Sequence, residues 1–185
     1  MPSRIPTIHR LSAAALAVCL ALGGASAWAQ GTLRIGMTAA DIPLTTGQTD
    51  QGGEGMRFMG YTVYDGLINW DLTSADKPSV LVPGLATGWK VDDADKTRWT
   101  FTLRQGVKFH DGSPLTSKDV VYSYNRIIKG KLSPSWRFSA VTSITAPDDS
   151  TVVIKVKSPS PNLLANLGGF KGLAIVKESN VTSGD

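Results

Sequence analysis

A chain of 185 residues with 19 basic and 15 acidic side chains, a formal charge of +4, one cysteine and two histidines leaves few chemistries open. One thiol cannot close a disulfide within the chain, and with two imidazoles it falls short of the ligand count of a structural zinc site. The basic residues are scattered singly among acids, so the concentrated cationic face of a phosphate-backbone binder is missing.

The N-terminus carries Arg4 and Arg10, an apolar run from Leu11 to Leu22 and the small-residue stretch ASAWA. This pattern predicts a secretory signal peptide over residues 1–29, with Ala27-Trp28-Ala29 supplying the A-x-A signal for cleavage after Ala29. The apolar core is shorter than the roughly 20 residues a membrane-spanning helix needs, so export without a membrane span is expected. Cys19 follows Val18, where a lipoprotein signal wants a small residue, and lipid anchoring is not expected. Cleavage removes Cys19 and His9, lowers the formal charge to +2 and leaves His110 as the sole imidazole. A cysteine-free chain suits an oxidising compartment.

In the mature chain, Leu33, Ile35 and Met37 alternate with polar or small residues and predict a strand over Thr32 to Met37. A polar Gly/Thr-rich loop follows to Gly55. Met56, Met59, Val63 and Leu67 then fall at spacings of three and four, which predicts one face of a helix ending near Asp65-Gly66. From Gly88 the period becomes two: Trp89 and Val91, the polar turn DDADK, then Trp99, Phe101 and Leu103 predict a hairpin with one apolar face. These aromatics read as core.

Asp111-Gly112 is a turn dipeptide, and Pro114 leads to Thr116, whose hydroxyl can cap a helix with Asp119 completing a capping box. Behind it Val120, Val121, Tyr124, Ile127 and Ile128 lie at helical spacing. Pro147-Asp148-Asp149 predicts a turn, Val152, Ile154 and Val156 the inward face of a strand over Thr151 to Lys157, and Leu163 to Leu167 a short apolar segment stopped by Gly168-Gly169. The mixture predicts an α/β or α+β domain with mixed sheets.

The pair His110-Asp111 invites a catalytic reading, because imidazole oriented by carboxylate is a common general base. Neighbours in an extended chain point to opposite sides, so Asp111 is poorly placed to orient the ring, and no G-x-S-x-G elbow supplies a nucleophile. No metal-ligand spacing surrounds His110. The glycines of GQTDQGGEGMRFMG spell no phosphate loop, and the sequon Asn180-Val181-Thr182 is a common chance match.

The mature start TLRIGM, the run YTVYDGLINWD, the stretch VPGLATGWKVDDADKTRWTFTLRQGVKFHDGSPLTSKDVVYSYNRI and the stretch ITAPDDSTVVIKVKSPSPNLLANL occur in one order. Together they resemble the extracytoplasmic solute-binding proteins, family 5, of peptide/nickel-type ABC importers. The resemblance implies a type II periplasmic binding protein-like α/β fold, here a partial first lobe with mixed β-sheets and flanking helices. It implies a periplasmic, non-enzymatic monomer that captures a peptide or similar small solute by hinge closure and hands it to an inner-membrane permease. No cofactor, no metal and no nucleic acid are implied.

By the same resemblance, Thr38, Ala39 and Asp41 face the ligand cleft and Gly168-Gly169-Phe170 approaches it, whereas Leu85 to Arg126, with His110, is scaffold away from the solute. The implied layout is a signal peptide at 1–29, the start of the lobe core at 30–75, a subdomain with hairpin and capped helix at 76–169, and a return toward the core at 170–185. Family members are usually well over twice this length, so the resemblance implies a truncated copy, a gene fragment or an incomplete sequence without the second lobe. An exported hydrolase or a chaperone-like periplasmic domain are the alternatives; the first would depend on His110, the second would bind unfolded chains broadly.

Overall fold

Two short strands, β1 (Ile68–Trp70) and β2 (Leu81–Pro83), pair antiparallel with Asn69 opposite Val82. The computed structural model that contains them describes Thr32, Arg34, residues 63–169 and residues 173–181. Thr32 and Arg34 fall in a separate N-terminal unit, are exposed and stand outside regular elements. The rest of the strand expected over Thr32–Met37 lies outside the described residues, as do Met56 and Met59.

The helix ends close to Asp65-Gly66, as expected, but Leu67 does not share its face. Val63 is helical and exposed, Tyr64 to Gly66 have left the helix, and Leu67 is fully buried at the entrance to β1. Asp65 is the cause: its Oδ1 accepts the Gly66 N–H at 2.8 Å and the Asn69 Nδ2–H at 2.8 Å. A carboxylate that bonds the backbone just ahead of it offers the chain a turn in place of another helical hydrogen bond. Leu67 therefore joins the core from the bend ahead of β1.

The main sheet has four antiparallel strands in the order β3-β4-β6-β5, where β3 is Ala86–Val91, β4 Arg98–Leu103, β5 Val141–Asp148 and β6 Thr151–Val156. Trp89 stands opposite Phe101 and Val91 opposite Trp99, as the period of two requires when one face is buried. The DDADK reversal forms as expected: Asp92 accepts the N–H groups of Ala94 and Asp95. Val152, Ile154 and Val156 are buried on β6, and so is Val153 on the opposite face, because β6 lies inside the sheet between β4 and β5.

β5 has no counterpart among the expected elements. Its sequence VTSITAPD carries few apolar residues and two register shifts against β6, as befits an edge strand. The turn falls later than Pro147-Asp148-Asp149: Asp148 pairs with Thr151, leaving Asp149 and Ser150 at the bend. The Asp148 Oδ1 accepts both the N–H and the hydroxyl of Ser150 at 2.8 Å, which fixes the reversal there.

Helix α1 (Ser117–Lys129) packs on β5 and β6 through Val120, Tyr124 and Ile127. Its start is held as expected at Thr116, where the Asp119 Oδ2 accepts the Thr116 N–H at 2.8 Å and its hydroxyl at 3.0 Å. Ser117 then ties the helix to the β5–β6 turn, its N–H reaching the Asp149 carbonyl at 3.0 Å and its hydroxyl donating to the Asp148 carbonyl. A 3₁₀ turn (Ser133–Phe138) brings Phe138 against Tyr124 with ring centroids 5.0 Å apart. Helix α2 (Leu163–Leu167) buries Leu163 and Leu167, and Gly168 after it bridges in parallel to Ile68.

Tyr124 is wholly buried, its hydroxyl meets only the Leu67 backbone without a hydrogen bond of normal geometry, and burial pushes its acidity far below that of an ordinary phenol. Replacing it with phenylalanine keeps the ring packing and removes a desolvated hydroxyl. Tyr124→Phe is therefore expected to leave stability unchanged or raise it by about 1 kcal/mol, measured by urea unfolding. A loss greater than about 1 kcal/mol would mean that the hydroxyl is bonded in solution.

Candidate functional site

Three stretches of chain converge beside β1. The first is the turn from Val63 to Asp65 with β1 itself. The second is a small loop closed by hydrogen bonds from Leu115 N–H to the Val107 carbonyl (3.0 Å) and from Phe109 N–H to the Ser113 carbonyl (2.9 Å). The third is the returning segment Leu173 to Lys177. Sequence spacing gives no hint of that return, and three contacts hold it.

The Ile175 N–H reaches the Asp65 carbonyl at 3.1 Å, and the Val176 N–H donates to the buried Ser123 hydroxyl of α1 at 2.9 Å. At its end, Lys177 Nζ meets Asp111 Oδ2 at 2.7 Å, joining residues 66 positions apart. A small polar residue inside α1 is thereby used to dock backbone rather than wasted in the core.

Between the three stretches lies a cavity of about 640 Å³, within the range of small-molecule sites. Trp70, Leu72, Phe109 and Leu115 supply apolar wall, Tyr64, Asp65 and Asn69 supply polar groups, and Arg104, Lys108 and Lys177 supply positive charge. The Arg104 guanidinium is anchored by a hydrogen bond to the Gly84 carbonyl at 2.7 Å. Such a surface can cover the body of an amphipathic solute and meet a charged end.

His110 lines the same cavity, although it stands in the stretch expected to be scaffold. It is exposed, and Asp111 turns away from it: Asp111 Oδ1 accepts the Ser113 N–H at 2.9 Å and the Ser113 hydroxyl at 2.6 Å, while Oδ2 takes Lys177. Lys177 first, and Ser113 next, hold the Asp111 carboxyl well below the usual carboxylate range, so this carboxyl is ionised at neutral pH. A carboxylate spent in this way cannot orient the imidazole. Among the described residues no cluster of three or more His, Cys, Asp or Glu side chains is placed to hold a metal, and no helix is long and apolar enough to cross a membrane.

Thr38, Ala39 and Asp41 lie outside the described residues. Gly168 and Gly169 are buried and do not line the cavity; they lie directly behind Trp70, which does. A Cβ on Gly168 would come within 2.5 Å of Leu81 Cδ2 and 3.0 Å of Trp70 Nε1, and Gly169 sits at φ +84° with its N–H on the Ile68 carbonyl at 3.0 Å. Close approach and positive φ both call for glycine here. Lys108 and Lys177 were not among the expected site residues. Lys108 stood inside a family marker and Lys177 in a segment with no periodicity.

Two antiparallel sheets, helices packed on them and a solute-sized cavity beside β1 define part of an α/β lobe of the periplasmic binding protein type. The structure of AgaA from A. tumefaciens R10, solved with agropinic acid, matches it with a TM-score of 0.62 at 32% identity, over 74% of this chain and 26% of that one. The sequence profile described as bacterial extracellular solute-binding proteins, family 5 Middle, matches residues 80–183, and the chain belongs to that family.

Among relatives, the periplasmic murein peptide-binding protein MppA of Escherichia coli is 35% identical over 144 residues, covering 66% of this chain and 25% of MppA. The probable D,D-dipeptide-binding periplasmic protein DdpA of E. coli is 38% identical over 108 residues, covering 58% of this chain and 20% of DdpA. The chain thus spans a quarter or less of the curated relatives it matches, and those relatives are binding proteins.

Proposed function

We propose that this chain forms part of the first lobe of a periplasmic receptor of an ABC importer, which captures a peptide or a similar small solute and delivers it to the inner-membrane permease. The observation that carries the reading is the family match over residues 80–183, the same segment that supplies two of the three cavity walls. MppA is described as murein peptide-binding, DdpA as probably D,D-dipeptide-binding, and AgaA was solved with agropinic acid, so a small solute is the common element.

In this proposal residues 1–29 direct export to the periplasm and are removed after Ala29. Residues 30–75 begin the lobe core, 76–169 form the subdomain, and 170–185 return toward the core. The opposing lobe belongs to the length of the relatives that the match leaves uncovered. Thr38, Ala39 and Asp41 face the cleft, while Gly168 and Gly169 act by seating Trp70. The receptor works as a monomer, without catalysis or a cofactor.

One lobe encloses a ligand from one side only, so weak binding is expected. Titrating the ¹⁵N-labelled chain with di- and tripeptides should move the Trp70 indole and the Tyr64, Asn69 and Lys108 amide signals together and saturably. Shifts spread over the whole surface, or none with any peptide, would overturn the proposal.

A further inference from the structure

Positive charge in the cavity exceeds what the fold uses. Of its acidic lining, Asp65 already serves Gly66 and Asn69 through one oxygen. Arg104 is tied to the Gly84 carbonyl, and Lys108 makes no ion pair or side-chain hydrogen bond with any described residue. Lys177 lines the cavity, yet its ammonium is held by Asp111, which does not line it. Beside these cations Leu72 is 62% exposed, apolar surface that the core does not cover.

We infer that Lys177 is the carboxylate receptor of this cavity, kept in place by Asp111, and that an acidic ligand with an apolar body binds by taking Lys177 over from Asp111 while Lys108 supplies the second cation. The inference rests on the solute-binding reading and names the ligand class. Its physical basis is that the exchange is cheap. A half-exposed ion pair contributes little, and the two oxygens of Asp111 have separate partners, so releasing Lys177 leaves Oδ1 on both Ser113 groups and returns Oδ2 to water. The incoming carboxylate gains a charge-assisted hydrogen bond against an apolar wall of Trp70, Phe109 and Leu72, where water competes less.

The test compares N-acetyl-alanyl-phenylalanine with its C-terminal amide, two probes that differ in one charge. The chain should bind the carboxylate about tenfold more tightly than the amide, with the preference fading as salt is raised. Asp111→Asn should tighten carboxylate binding about threefold, because the internal competitor is gone, and leave the amide unchanged. That gain should vanish in the Lys177→Met background, which separates competition for Lys177 from a general change in field.

Lysine side-chain signals of the unmutated chain provide a readout that no folding defect can confuse: Lys177 should shift with the carboxylate and not with the amide. The exposed Lys108→Gln should weaken the carboxylate alone. Equal binding of both probes at the cavity would overturn the inference and leave the solute-binding proposal standing. A gain from Asp111→Asn that persists without Lys177 would also overturn it. Binding of neither probe would overturn both.

Discussion

Replacing Phe101 with alanine is expected to cost about 3 to 5 kcal/mol of folding stability. Phe101 is fully buried on β4, where its neighbours are Trp89 on β3 and Val152 on β6. Both flanking strands are hydrogen-bonded to β4, so the sheet cannot close over the space an aromatic ring leaves. The loss therefore combines the transfer of the ring to water with an unfilled cavity. Phe101→Leu, which refills most of the volume, should cost about 1.5 kcal/mol or less. Urea unfolding followed by tryptophan fluorescence measures both, as a lowered midpoint at constant slope. A Phe101→Ala loss below about 1 kcal/mol would show that this sheet is not where the folding energy resides.

Gly84→Ala should be nearly as damaging, at about 3 kcal/mol, although it adds a single methyl group. The new Cβ would stand 2.5 Å from the Gly66 carbonyl oxygen, 2.9 Å from Asn69 Nδ2 and 3.1 Å from the Leu67 carbonyl oxygen. Two of these are backbone atoms already bound from the next residues along, by Leu85 N–H to Gly66 and Ala86 N–H to Leu67, each at 2.9 Å. Moving them away breaks the junction between β1 and the main sheet. It also displaces Asn69 and the Gly84 carbonyl that holds Arg104, so the cavity should lose its peptide-induced shifts together with stability.

Gly88 on β3 is the control: a Cβ there meets nothing within 4 Å, and Gly88→Ala should change stability by no more than about 0.5 kcal/mol. Equal losses at the two glycines would remove close packing as the explanation.

These two substitutions differ in how far they could be foreseen. Phe101 declares itself in the sequence, because Trp99, Phe101 and Leu103 alternate across a polar turn from Trp89 and Val91, and a period of two with one buried face permits one register. Gly84 looks like any turn glycine until the chain near Gly66 is folded against it.

The same division runs through the site. The capped start of α1, the DDADK reversal, the short α2 segment and the family itself are legible because each depends on hydrogen bonds or side-chain faces within a few residues. Leu67 falls on the expected helix face yet lies beyond the helix, because apolar spacing continues past a turn that Asp65 imposes by bonding its own neighbourhood. Edge strand β5 escaped notice because an edge needs little apolar sequence to be held by its partner.

By itself, then, the sequence of this protein determined the hairpin of β3 and β4, the capped helix and membership of a solute-binding family, all through short-range pattern. Only the tertiary structure decided that Trp70 rests on Gly168, that Val176 docks on Ser123, and that Lys177 closes on Asp111 beside an apolar wall. Those pairs lie tens of residues apart, and no local periodicity carries the loop closures that bring them together.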